Sequence, residues 1–146
     1  MRRRSSGSAG IKLFRLDYEE IMRKLKGYAR RALSKGARTV ILIGSLARGD
    51  YTAFSDADVI VICDEAPERY IDRAIPFMDP SMPVDVEPRV YTTEEFLRMA
   101  REGRRVVREA VEHGILLAGS GEVVERAKEL LRERGSTASS RLASIT

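Results

Sequence analysis

Asp56 and Asp58 lie two residues apart, where an apolar run, Val59 to Cys63, begins. On a strand, side chains at i and i+2 share one face. Neighbouring carboxylates repel and raise each other's pKa, so a cation is a natural third party. Oxygen ligands suit a hard ion such as Mg²⁺, which keeps waters and takes substrate phosphates as further ligands. The same Asp-x-Asp also reads as an Asx-turn followed by a solvated acid. Upstream, Gly44-Ser45 closes another apolar stretch. A glycine lets the backbone approach a ligand closely, and backbone N–H groups beside a hydroxyl can hold phosphate oxygens. The plainer reading is a β-to-α turn. It is not a Walker A loop, because no Gly-Lys-Ser/Thr follows.

Asp85, in Pro-Val-Asp-Val-Glu, is a third acid on a predicted strand. A carboxylate between valines is costly unless it faces solvent or a cation. If that strand pairs beside the second, Asp85 joins Asp56 and Asp58. Three acids on adjacent strands make a two-metal site, able to clamp the attacking and leaving oxygens of an in-line phosphoryl displacement. Glu87 shares the face of Asp85, as a substitute ligand or a solvated neighbour. Ser45 has no triad partner. The only histidine, His113, falls at a predicted helix C-terminus, where the dipole favours an imidazolium.

These residues need elements to position them. Asp17 and Glu20 form a capping-box pattern ahead of Ile21, Leu25, Tyr28, Ala29, Ala32 and Leu33 at helical spacing, with Gly36 as the closing C′ residue. Thr39 to Ile43 is a buried strand, and Leu46 to Arg48 is one helical turn. Ala57 to Cys63 is a strand central in its sheet. Glu68 to Met78 is a short helix opened by Pro67 and limited by Pro76. Met82 to Val90 is a strand with Pro83 and Pro88 near its ends, an edge signal. Thr93 to His113 forms one helix or two, capped by Thr93, with Gly103 as the break. A short strand, Ile115 to Ala118, and a helix, Glu122 to Arg134, closed by Gly135, follow. The order α-β-α-β-α-β-α-β-α predicts an α/β domain around a small sheet.

The chain has 146 residues, one domain's worth with a sizeable core. Residues 1–10 read as a disordered basic tail, 11–134 as the folded domain and 135–146 as a second disordered tail. The single cysteine, Cys63, excludes an intrachain disulfide and fits a reducing interior. The longest apolar run is too short for a bilayer, and the basic start lacks the apolar segment of a signal peptide. A soluble, cytoplasmic protein is expected.

The net charge of +4 comes from the ends. All 22 acids lie between residues 11 and 135, whereas Arg2, Arg3, Arg4 and Arg141 lie outside, so the centre is neutral. The basic balance is therefore poor evidence that the folded part binds nucleic acid, which is not expected as a partner. Asn and Gln are absent and a third of the residues are charged, a thermophile signal. The excess of Arg over Lys equally fits a GC-rich genome.

Gly44-Ser45, ten residues, then Asp56-Ala57-Asp58 and an apolar strand, resembles the signature of the nucleotidyltransferase superfamily that includes DNA polymerase β. Gly-Ser-Leu-Ala-Arg-Gly is similar to its minimal prokaryotic branch. With Asp85 and the first helix the likeness extends over residues 17–90. The resemblance implies the nucleotidyltransferase fold, a small mixed β-sheet packed with helices (α/β, or α+β). It implies that Asp56 and Asp58 bind two Mg²⁺ ions, for which Mn²⁺ can substitute. Asp85 would bind the catalytic ion and help activate an acceptor hydroxyl. Gly44 and Ser45 would hold the β- and γ-phosphates of ATP, the substrate. Arg48, in the same loop, either touches a phosphate or is simply exposed.

Small members of that branch pair with HEPN-domain proteins, and several act as antitoxins that transfer AMP to a tyrosine of the partner. That is the expected function. The alternatives are nucleotidyl transfer to a small molecule or to RNA, and a non-catalytic module that neutralises a partner by contact. A homodimer is compatible with the size. Arg104, Arg105 and Arg108 read as a solvated face, with partner contact as the other role.

Overall fold

Alternation along two central strands splits the core into two layers. In β1 (Thr39–Ile43), Val40 and Leu42 pack toward the first helix, α1 (Gly7–Ser34), and in β2 (Ala57–Ile62) Val59 and Val61 do the same. Ile41, Ile43, Ile60 and Ile62 face the other way, against Phe96, Ala100, Val107, Ala110, Ala127 and Leu130. A strand buried on both faces reads as a continuous apolar run, which is why these two are so plain in the sequence.

The computed structural model describes the backbone of residues 7–52 and 55–145, and the side chains of 17–52 and 55–135. A single turn, α2 (Ser45–Arg48), follows β1. After β2 come α3 (Tyr70–Arg73), a 3₁₀ turn at Ile75–Phe77, and β3 (Val86–Tyr91). Then follow α4 (Thr93–Arg101), α5 (Arg105–His113), β4 (Ile115–Gly119) and α6 (Glu122–Ile145). The sheet order is β3-β2-β1-β4. β1 runs antiparallel to β2 and β4, and β2 runs parallel to β3. The sheet is therefore mixed, with helices on both faces, as expected, and β3 is an edge strand. Among the described residues no helix is long and apolar enough to cross a membrane.

Several boundaries differ from expectation. α1 does not start at Asp17 but at Gly7. Residues 11–16 contain neither glycine nor proline, and a capping box acts only where the chain leaves the helix. Glu20 instead pairs with Arg23 and Lys24. Gly135 does not close α6, because it does not take the left-handed φ of a C′ glycine, whereas Gly36 does, at 110°. The helices thus run into both segments expected to be tails; residues 1–6 lie outside the described chain. The third strand begins at Val86 rather than Met82, because the Met82 N–H is bonded back to the Asp79 carbonyl at 3.2 Å in a turn. The cap of α4 is Thr92, not Thr93; Thr92 and Glu95 form a full capping box. Gly103, at φ 70°, separates α4 from α5.

One buried cation holds the crossover between β2 and β3. The Arg73 guanidinium makes a two-point ion pair with Glu95, at 2.6 and 3.0 Å, and donates to the carbonyls of Pro67 and Val90. The crossover leaves Tyr70, Ile71, Ile75 and Met78 exposed.

Candidate active site

The antiparallel register sets Ile43 opposite Asp58, so the end of β1 meets the start of β2. Gly44 follows at φ 83°, a region that favours glycine. A Cβ there would stand 2.7 Å from Asp58 Oδ2, so the backbone of Gly44 lies against the carboxylate. Ser45 Oγ donates to Ser55 Oγ at 2.9 Å, and Ser55 Oγ accepts the Thr52 N–H at 2.8 Å. These bonds tie the loop before Asp56 to the turn after β1. Tyr18 of α1 braces the assembly from behind. Its hydroxyl donates to the Leu46 carbonyl at 3.0 Å, and its ring stacks on Tyr51 at 4.6 Å.

Side-chain parity puts the acids on the α5 side of the sheet. Asp58 shares the parity of Ile60 and Ile62, which pack on that side, and Asp56 precedes it by two. The parallel register places Glu87 beside Asp58. Burial pushes the Asp58 carboxyl up, Arg89 pulls it back, and Asp56 adds to the rise. Glu87 is raised first by the charge of Asp58, then by burial and by Asp56. Asp85 stands just before β3 with the same parity. Its carbonyl accepts the Ala57 N–H at 2.8 Å, extending the ladder, and its side chain is exposed.

Among the described residues no three Asp, Glu, His or Cys side chains close around a single point as a complete metal cage would. The donors present are nevertheless oxygens of the right chemistry. Asp56, Asp58 and Glu87 press on one another, and a divalent cation relieves such repulsion. An incomplete protein set suits an ion that fills its shell with waters and phosphates.

Beside Asp58 opens a pocket of about 660 Å³. Gly44, Ser45 and Asp58 form one side, and Arg89, Arg104 and Arg105 line the rest. The Gly44 N–H donates to Glu109 Oε2 at 3.0 Å, and Arg48 Nη1 donates to the same oxygen. Arg48 also reaches Asp50, at 3.3 Å. A second groove of about 520 Å³ runs along α5 and shares Arg48, Arg105 and Glu109 with the first. The site thus sets carboxylates at one end against four arginines, an arrangement suited to a polyanion carried with a metal.

A family model described as a nucleotidyltransferase domain matches residues 22–117. The chain belongs to this nucleotidyltransferase family. The match spans Gly44, Ser45, Asp56, Asp58 and Asp85, so both halves of the site lie within the domain. A chain in a crystal structure of a toxin-antitoxin with AMP-PNP is similar in fold. It has a TM-score of 0.54 and 19% identity, with 82% of this chain and 94% of that chain covered. A chain from a mutant MntA-HpeT toxin-antitoxin is similar at TM-score 0.52 and 17% identity, covering 85% and 94%. No curated protein matches the chain.

Within this nucleotidyltransferase domain the structure gathers Gly44, Ser45, Arg48, Asp56 and Asp58 at one end of the sheet, with Asp85 at the head of the adjoining strand. His113 ends α5, as its sequence position suggested. Ser55, Arg89 and Glu109 border the site and were not singled out from sequence. Ser55 carried a local signal, a hydroxyl next to the Asp-x-Asp. Glu109 carried none, being 65 residues from Gly44.

Proposed function

We propose that this chain is an antitoxin that transfers AMP from ATP to a hydroxyl of a partner protein, a tyrosine of a HEPN-domain toxin. The observation that carries the reading is the seating of Gly44 against Asp58 inside a nucleotidyltransferase domain. It puts phosphate-binding backbone next to paired carboxylates. The similarity to chains of toxin-antitoxin structures, one holding AMP-PNP, supports the choice of partner and nucleotide.

In this reading the Gly44 N–H and the Ser45 hydroxyl hold β- and γ-phosphate oxygens. Asp56, Asp58 and Asp85, with Glu87 in the same row, would hold two Mg²⁺ ions. When bound, these supply positive charge at the α-phosphate and at the leaving pyrophosphate. The arginine wall steadies the remaining phosphate charge. The acceptor hydroxyl oxygen attacks the α-phosphorus, and the bond from that phosphorus to the pyrophosphate oxygen breaks. Asp85, exposed just before β3, takes the hydroxyl proton, and pyrophosphate departs.

The test uses ATP labelled at the α-phosphate, with and without Mg²⁺, alone and with a HEPN-domain protein encoded beside this chain. Metal-dependent label on that protein, lost in an Asp56→Ala/Asp58→Ala variant, is the expected result. Label on RNA or on a small hydroxyl compound instead would reassign the acceptor. No label, with toxin neutralised equally by the variant, would make the chain a contact inhibitor.

A further inference from the structure

Glu109 stands where the proposed substrate needs to be. Its Oε2 accepts from the Gly44 N–H at 3.0 Å and from Arg48 Nη1. These are two of the donors that the preceding reading gives to a phosphate oxygen. A carboxylate oxygen and a phosphate oxygen are both acceptors and both negative, so they compete for the single Gly44 N–H and repel each other beside Arg48. Glu109 also lines the pocket that holds Gly44, Ser45 and Asp58. The contact joins segments far apart in sequence, α5 and the β1–α2 turn, and is not a by-product of local geometry.

We infer that Glu109 is a resident stand-in for phosphate, and that a nucleoside triphosphate binds by displacing it toward Arg105. This rests on the nucleotidyl-transfer reading. Arg105 lies one helical turn before Glu109, on the same face of α5, and borders the same pocket. Among the described residues it forms no ion pair, so it is available to the released carboxylate. The exchange swaps Arg48 for Arg105 as partner of Glu109. It frees the Gly44 N–H and Arg48 Nη1 together, while Arg48 keeps its contact with Asp50; until then the Glu109 contacts keep the cradle ordered.

The experiment is a calorimetric titration with Mg²⁺ and an ATP analogue bearing a methylene bridge between the α- and β-phosphates, which blocks transfer. Wild type, Glu109→Ala, Glu109→Gln and Arg105→Ala are compared, with Arg105→Ala also placed in the Glu109→Ala background. Thermal melts establish that each variant folds. Glu109→Ala is expected to bind up to roughly fivefold tighter, the scale of one partly exposed ion pair, and Glu109→Gln to move the same way. Arg105→Ala is expected to weaken binding in wild type and to do so less once Glu109 is gone. Wild-type binding with no gain in either folded Glu109 variant overturns the inference. So does an equal Arg105 effect in both backgrounds, which would make Arg105 a direct phosphate ligand. No binding by any folded protein, wild type included, would instead sink the nucleotide reading and the inference with it.

Discussion

A methyl group at position 44 would intrude on the carboxylate of Asp58, at 2.7 Å, on a backbone held at φ 83°. Gly44→Ala is therefore expected to cost about 1–3 kcal/mol of stability through backbone strain. It should weaken nucleotide binding more than the stability loss explains, because relief of the clash moves Asp58. Denaturant titration and calorimetry on one preparation separate the two effects. The meeting of Gly44, Ser45, Asp56 and Asp58 at one end of the sheet was legible in the sequence, because it follows from short spacing and strand parity. Glu109 was not, because only the packing of α5 on β1 brings it to Gly44. Glu87 was visible as a neighbour, but its place beside Asp58 depends on a register that the sequence does not state.

Among the elements, the β2–β3 crossover relies on the Arg73–Glu95 pair. Arg73 is buried, and removing its side chain would strand Glu95 and leave two carbonyls without their donor. Arg73→Ala is expected to destabilise the fold by about 2–4 kcal/mol, toward the lower end of the range for broken buried pairs because Glu95 is partly exposed. The hydrogen bond from Arg73 holds the Glu95 carboxyl below its ordinary value. A depressed carboxylate stabilises the fold fully above its unfolded pKa, and that contribution disappears as pH falls through the folded value. Urea midpoints followed from neutral to acid pH should fall less steeply in Glu95→Gln than in wild type over that window. The elements themselves were largely readable: two apolar strands, the Gly103 break, the Gly36 stop. The cap at Thr92 and the start at Gly7 were misplaced because a cap motif states only what a residue can do. Where the helix ends depends on the residues beyond it.

At the scale of the whole molecule, two apolar layers share one sheet. Phe96 is fully buried in the layer formed with α5 and α6, and Leu25 in the layer with α1. Phe96→Ala is expected to lose about 3–5 kcal/mol, as large-to-small core changes do. Because β1 and β2 belong to both layers, unfolding should remain a single transition, with near- and far-ultraviolet circular dichroism coinciding. Two transitions would mean that the layers are separable. The α/β class followed from the order of elements, whereas the direction of β3 did not, since both a parallel and an antiparallel partner satisfy its pattern.

That direction sets a timetable. β1 and β2 pair antiparallel across residues 44–56, a shorter connection than residues 63–85 between β2 and β3, so their pairing closes the smaller loop. β3 must wait for the long crossover to wrap and for Arg73 to meet Glu95. A chain emerging during synthesis could thus shape the Gly44–Asp58 corner early, complete the acid row only when Asp85 and Glu87 dock, and gain Glu109 later still. The contact that restrains the cradle would be the last feature that the growing chain acquires.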